Sequence, residues 1–204
     1  GEITPPKKTL LQGQFYARLS REVISPLTAT ALATTVFTDE PSFLAAVGGA
    51  DMVAEGFEDD AAWGEARNPD AVPTITSQNV TWTSNHAHND VSTSSGASVT
   101  GSWGFYSVPH GDQTVPNATD PITDGFIGAS DQPMVAVGGW FTGTSGSEVA
   151  IVLDGDDTTL VSLGPVDAIA RFYGVTVDTD FTSFEFREVE GTLEDQKFIF
   201  VDDV

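Results

Sequence analysis

The chain has no cysteine, few basic residues and no long apolar run, and each absence excludes a class of protein. Without cysteine there can be no disulfide, no thiolate zinc site and no cysteine nucleophile. No run approaches about 18 apolar residues, so no membrane-spanning segment is predicted. Only eight lysines and arginines oppose 30 acidic residues, which gives a net charge of −22. A surface of that charge repels nucleic acid and anionic lipid and attracts cations.

The charge is unevenly distributed along the 204 residues. Residues 1–33 contain four basic and two acidic residues, whereas residues 34–204 contain four basic and 28 acidic residues. This shift predicts a boundary near residue 34, followed by one domain large enough to bury a core.

The segment before that boundary has three interpretations. Ser25–Ala33 is similar to the end of a secretory signal, but the stretch before it carries too many charged residues for a working signal. One apolar stripe at helical spacing also runs through it, formed by Leu11, Phe15, Leu19 and Val23. Residues 1–33 are therefore an altered leader or engineered segment, a docking helix, or an arm that packs on a neighbouring subunit.

From residue 34 onward, one short helix precedes a series of strands. Residues 38–49 predict the helix, with Thr38 or Asp39 as its cap and a glycine pair at its end. Alternating apolar runs bounded by turn residues follow. They predict strands at Val53–Phe57, Val72–Ile75, Val80–Thr83, Ser102–Val108, Gly125–Ile127, Met134–Phe141, Val149–Leu153, Thr159–Leu163, Ala168–Val175, Phe181–Glu188 and Phe198–Val201. Short strands at this spacing favour an all-β fold: an antiparallel, jelly-roll-like β-sandwich with one short N-terminal helix.

Four stretches of residues 35–204 resemble PEP-CTERM-type exported bacterial proteins. They are Phe37–Ala46, with its F-x-D spacing and Ala-Ala end, then Gly56–Glu58, Phe172–Phe186 and Phe200–Val204. The sorting tail of that family, a Pro-Glu-Pro motif with an apolar helix, is not in this sequence. The resemblance implies export and an association with the cell surface or the extracellular matrix, and it implies no single activity. The absence of cysteine also favours a bacterial source.

Acidic residues lie at and just after Gly56–Glu58 and within Phe200–Val204. Their layout is similar to that of acidic residues in jelly-roll carbohydrate-binding modules and MAM-like domains. In those proteins the first and last strands lie side by side and their acids share a structural Ca²⁺. The resemblance implies Glu58, Asp60, Asp202 and Asp203 as ligands here. Ca²⁺ prefers six to eight hard oxygen ligands, which carboxylates and backbone carbonyls supply.

Two histidines, His86 and His88, form the other candidate metal group. On a strand, an H-x-H pair places both imidazoles on one face. A third ligand would have to be His110, Asp90 or Asp112. The alternatives are incidental loop histidines or a proton-transfer pair in a polysaccharide lyase.

Aromatic side chains provide candidate sugar-binding surfaces, because sugar rings stack on exposed aromatic faces. The candidates are Trp82, Trp103, Phe105, Tyr106 and Trp140. Alternation places Trp103 and Phe105 on one face of a strand and Tyr106 on the other. Tyr106 and nearby His110 are the best candidates for exposure.

The sequence predicts a non-catalytic, secreted or cell-surface module that binds Ca²⁺ and a polysaccharide or cell-surface glycan. No G-x-S-x-G elbow is present, and acid pairs are too abundant to single out a glycosidase dyad. A self-assembling surface or filament subunit, a homo-oligomer that docks through residues 1–33, is the first alternative. A polysaccharide lyase that uses His86, His88 and Tyr106 is the second.

Overall fold

Antiparallel strands dominate the computed structural model, which describes residues 33–48, 51–111, 123–189 and 196–204. Within the predicted leader or arm only its last residue, Ala33, is described, and Asp112 also lies outside these ranges. Docking through residues 1–33 therefore stays a prediction. The described strands are β1 (Thr34–Phe37), β2 (Thr74–Ser77), β3 (Val80–Ser84), β4 (Asp90–Ser94), β5 (Gly104–Val108), β6 (Gly125–Gly143), β7 (Ser147–Leu153), β8 (Val161–Val166), β9 (Arg171–Glu188) and β10 (Ile199–Asp202). The described helices are α1 (Glu40–Val47) and α2 (Asp60–Trp63), with 3₁₀ turns at Gly64–Ala66 and Asp157–Thr159.

Two long strands, β6 and β9, belong to both layers of the fold. They pair with each other on either side of a register shift between Ala129 and Ala136. Before the shift, β6 also pairs with β3, and after it with β10. The first sheet therefore runs β2-β3-β6-β9-β7-β8 and the second runs β4-β5-β10-β6-β9-β1. Register irregularities of this kind bend a strand and allow one sheet to fold onto another.

The core lies where the inner faces of the two sheets meet. Phe105 of the second sheet packs against Trp82 and Phe126 of the first, with ring centroids 5.3 and 5.0 Å apart. Farther along, Phe141 and Phe186 make the same kind of contact at 4.8 Å. These edge-to-face rings close the β-sandwich, so the predicted all-β sandwich is confirmed.

The predicted helix is present as α1. Asp39 caps it, because its carboxylate accepts a hydrogen bond from the Ser42 amide at 2.9 Å. The helix packs on the outer side of the second sheet through Phe43, which contacts Phe37 and Phe172. None of the described helices has the length and apolar character that crossing a bilayer requires.

Several predicted strands have different bounds. Val53–Phe57 is not a strand, although Glu55 and Val204 exchange two backbone hydrogen bonds of 2.7 and 3.0 Å. The left-handed backbone of Phe57, with φ of 58°, prevents further pairing. Strands β1 and β4 were not predicted. The two pairs of short strands predicted within β6 and within β9 are each continuous, because the bends are made by register shifts rather than by turns.

Candidate functional site

Aromatic side chains lie on both faces of the second sheet. Along β5, Phe105 points into the core and Tyr106 points outward, as the alternation predicted. Along β10, Ile199 and Val201 belong to the core, which leaves Phe200 on the outer face. The outer face of this sheet is therefore partly apolar.

Four rings form a cluster on that outer face, the β10 patch: Tyr106, His110, Phe198 and Phe200. Phe198 and Phe200 stack with their centroids 4.6 Å apart, and His110 packs edge-on against them at 5.0 and 5.5 Å. Tyr106 contacts Phe200 at 5.0 Å. His110 is exposed and both phenylalanines are half-buried, so the patch presents apolar ring surface to solvent. Burial lowers the pKa of His110, which favours its neutral form.

The position of Tyr106 corrects one prediction. Its side chain is only 5% exposed, and its hydroxyl accepts a hydrogen bond from the Asn68 side-chain amide at 2.9 Å. The segment around Asn68 runs beside β4 and is held there by Ser92, whose hydroxyl donates to the Asp70 carbonyl. Tyr106 therefore supports the β10 patch from beneath and does not offer its own ring.

Sequence reasoning missed Phe198 and Phe200 as candidate site residues. The signal was available, since Phe198, Ile199, Phe200 and Val201 are four consecutive apolar residues of a predicted strand. Because alternate side chains point to opposite faces, such a run makes both faces apolar. One face fills the core, and the other needs a cover or a ligand.

The remaining predicted aromatic residues lie elsewhere. Trp82 is 1% exposed and packs among core rings, so it has no free face for a ligand. Trp103 is half-buried, with the guanidinium of Arg67 4.3 Å from its ring centroid. That stacking holds the ring by a cation–π contact. Neither tryptophan belongs to the β10 patch.

Three of the four predicted Ca²⁺ ligands do converge, and they do so on one loop. Glu58 accepts hydrogen bonds from the amides of Ser102 and Trp103 at 2.6 and 2.8 Å. Asp202 accepts from the amides of Val99 and Thr100 at 2.7 and 2.9 Å.

Asp203 completes the convergence. It accepts a hydrogen bond from the Thr100 hydroxyl at 2.8 Å. We call Glu58, Asp202 and Asp203 with loop 98–103 the acidic corner.

Asp60 does not belong to the acidic corner. It opens α2 and pairs with Arg67 at 2.8 Å, with its side chain 84% exposed. The Arg67 guanidinium also donates to the Phe57 carbonyl at 2.7 Å, which fixes the chain between Phe57 and α2. The ion pair with Arg67 therefore holds Asp60 outside the acidic corner, and the sequence alone did not predict that pair.

Charge accumulates at the acidic corner. Burial, with a further contribution from the charge of Asp203, raises the pKa of Asp202 to about 6, although amide donors oppose the shift. Nearby, Glu55 is 4% exposed and its Oε2 has no hydrogen-bond partner. Among the described residues, however, no three His, Asp or Glu side chains converge as a ready-made metal site. The carboxylates that face the loop are occupied by backbone amides instead.

The histidine pair lies in the loop between β3 and β4 and not on a strand, where the H-x-H pattern would place both rings on one face. His88 is exposed, whereas burial lowers the pKa of half-buried His86. Among the described residues, no His, Asp or Glu side chain joins them as the third ligand of a metal site. The irregular backbone after Ser84 removes the shared face that the H-x-H pattern requires.

Beneath the β10 patch lies a buried carboxylate that the sequence did not reveal. Asp124 is 3% exposed and accepts hydrogen bonds from the amides of Ile199 and Gly111. Burial raises its pKa to about 7, and the charge of Glu188 adds to that rise. Asp124 thus joins the two chain segments that carry Phe198, Phe200 and His110.

Comparisons with known proteins add little to this geometry. No protein-family model matches the chain, and no curated protein matches it. The predicted PEP-CTERM resemblance has no support from them. A structure of the carbohydrate-binding module TmCBM61 in complex with β-1,4-galactotriose is 10% identical and covers 72% of this chain and 99% of that chain, with a TM-score of 0.25. At that TM-score the similarity assigns neither fold nor ligand to this chain.

Proposed function

We propose that this protein is a non-catalytic glycan-binding module of the cell surface or extracellular space. The observation that carries the proposal is the β10 patch. Half-exposed rings on an otherwise acidic surface are costly to leave in water, and the CH-rich face of a sugar covers such rings well. Polar groups at the rim then bind the hydroxyls of the sugar.

Binding is better supported than catalysis. The lyase alternative needs His86, His88 and Tyr106 at one substrate, with the Tyr106 hydroxyl available for proton transfer. That hydroxyl is instead hydrogen-bonded to Asn68 beneath a covering segment. A net charge of −22 fits export into a solvent rich in cations, where counterions screen the surface.

We further propose that Ca²⁺ binds at the acidic corner. Burial raises the pKa of Asp202, and the neighbouring charge of Asp203 adds to that rise, so these two carboxylates repel each other. A hard divalent cation would relieve the repulsion through Glu58 Oε2 and Asp203 Oδ1, the carboxylate oxygens other than those that accept from the loop, together with loop carbonyls. Its role would be to hold loop 98–103 against the last strand.

Affinity electrophoresis through gels that contain neutral polysaccharides tests glycan binding. We expect one or more polysaccharides to retard the wild-type protein. The variant Phe200→Ala should lose about tenfold or more in affinity, as truncation of a central aromatic contact does. Leu160→Ala is the matched control, because Leu160 is a 42% exposed apolar residue outside the patch.

Thermal melts establish that both variants are folded. If no polysaccharide retards the wild type, or if Phe200→Ala binds as tightly as Leu160→Ala, the proposed function is wrong.

A further inference from the structure

A cleft of about 550 Å³ opens on the outer face of the second sheet, between the start of α1 and strands β6 and β9. Trp140, Arg171, Asp39 and Glu40 are among the residues that line it. None of them belongs to the β10 patch or to the acidic corner. The cleft is open to solvent and combines aromatic rings, those of Trp140, Phe172 and Tyr173, with a few charged groups, a composition that suits a small polar ligand with an apolar face.

Trp140 forms one wall of the cleft, and neighbouring rings fix its position. Trp140 is half-buried and points outward from β6. Its ring lies edge-on to Phe172, with centroids 5.8 Å apart at 71°, and Phe172 in turn packs against Phe43 of α1. A ring fixed by such neighbours loses little conformational entropy when a ligand stacks on it.

The polar groups of the cleft stand on rigid elements. Asp39 is fixed as the cap of α1, and Arg171 pairs with Asp167 at 3.0 Å while its side chain stays 45% exposed. Carboxylates accept hydrogen bonds and the guanidinium donates them, so the lining matches hydroxyl groups, which do both.

The strand register joins this cleft to the β10 patch. Across β6 and β10, Trp140 lies opposite Asp202, and Thr142 lies opposite Phe200. Trp140 and Phe200 are therefore diagonal neighbours on one face, roughly 7–8 Å apart along the sheet. The patch and the cleft therefore lie on the same outer face of the second sheet, on the adjacent strands β10 and β6.

We propose that the cleft is a second sugar subsite, so that the protein binds a neutral, linear glycan chain across both the β10 patch and Trp140. The inference rests on the proposed glycan-binding function and adds its ligand class. A chain is proposed because Trp140 and Phe200 stand on different strands and offer two separate stacking faces, each of which a different sugar ring of one chain can cover. The chain is neutral because the cleft carries Asp39, Glu40 and the Asp167-paired Arg171 within a protein of net charge −22, which repels uronic acid and sulfated polymers.

Calorimetry with oligosaccharides of increasing length tests the inference, with chains cut from whichever neutral polysaccharide binds the wild type. We expect wild-type affinity to rise with chain length until both subsites are filled. Trp140→Ala should bind the shortest bound chain normally and the longest about tenfold more weakly, whereas Phe200→Ala should weaken binding at every length. Trp140→Phe keeps a ring in the same place and should recover part of the loss, which separates stacking from a folding defect.

The possible failures are distinguishable. Absence of any glycan binding by the wild type overturns the proposed function and the inference together. Binding that Trp140→Ala leaves unchanged at every length overturns the inference alone. Tighter binding of a polyuronate than of the neutral chain overturns the ligand class. A concentration-dependent dimer in sedimentation experiments that Trp140→Ala abolishes would identify a second copy of the chain as the occupant and would also overturn the inference.

Discussion

The two sheets share their longest strands, yet their outer faces differ in chemistry. On the first sheet, Arg187 forms a bidentate pair with Glu185 at 2.8 Å and a second pair with Asp157 at 3.0 Å. Asn85 also donates to Glu185. On the second sheet, the corresponding positions carry rings, among them Phe172 and Phe200.

This difference indicates where the protein has a binding surface. Paired charges on the first sheet are satisfied within the protein and can face water without a ligand. On the second sheet, α1 covers Phe172, but the described residues leave Trp140 and the β10 patch only partly covered. A group of partly exposed rings beside satisfied polar surface is consistent with an interaction site.

The largest effect should separate core rings from outer rings. Trp82→Ala removes a ring that both sheets enclose, and we expect a loss of about 3–5 kcal/mol in the free energy of unfolding. Phe200→Ala should lose only about 1–2 kcal/mol, since part of that ring is already in water. Urea unfolding measures both. Equal losses would mean that the β10 patch is a second core and not a surface.

The second prediction concerns the ion pairs of the first sheet. Arg187→Ala leaves the carboxylate of Glu185, which is 9% exposed, without its main partner. We expect a loss of about 3 kcal/mol in the free energy of unfolding, because an uncompensated charge near the interior is costly. Glycan affinity should be unchanged.

The double variant Arg187→Met, Glu185→Leu is the control, since it removes both charges and should recover most of the loss. A loss of glycan affinity in Arg187→Ala would mean that the glycan binds the first sheet, which would contradict the proposed binding surface on the second sheet.

The sequence predicts those features of the two sheets that depend on residues close together along the chain. The cap at Asp39 and the alternation of Phe105 and Tyr106 follow from neighbouring residues, and both predictions were confirmed. Exposure does not follow in this way. Tyr106 is covered by a segment whose position depends on long-range contacts between Ser92 and Asp70, which no local pattern encodes.

The acidic corner shows the same limit. Glu58, Asp202 and Asp203, which the resemblance implied as Ca²⁺ ligands, all contact loop 98–103, because the pairing of Glu55 with Val204 brings the two segments together. Their binding of Ca²⁺ stays a prediction. The resemblance also implied Asp60, which Arg67 holds elsewhere. Whether acids near each other bind metal or backbone amides depends on the loop between them, and loop 98–103 carried no distinct sequence signal.

The third prediction uses the buried carboxylate behind the β10 patch. The pKa of Asp124 is raised to about 7 in the folded protein, so its protonated form stabilises the fold at low pH. That contribution is lost as the pH rises from about 4 towards 7, and we expect a loss on the order of 2 kcal/mol between pH 5 and 8. In urea unfolding at a series of pH values, Asp124→Asn should abolish the slope between about pH 6 and 7 and leave at lower pH the share of Asp202, whose pKa is raised to about 6. An unchanged slope would mean that Asp124 stays charged.

The smallest effect should come from Ca²⁺ at the acidic corner, and it tests whether the acidity of the chain includes one specific site. Ca²⁺ at about four to five times its Kd should raise Tm by about 2–4 °C, which corresponds to about 1 kcal/mol for a domain of this size. Glu58→Gln should abolish the rise, because the amide oxygen still accepts from the loop but the negative charge is gone. Asp60→Asn removes one charge outside the corner and should keep the rise, so general screening by a divalent ion would affect both variants equally. If the wild-type protein melts at the same temperature in Ca²⁺ and in EGTA, the Ca²⁺ proposal is wrong, and the hydrogen bonds of the acidic corner hold loop 98–103 without a cation. That result would not affect the proposed glycan binding by the aromatic residues of the second sheet.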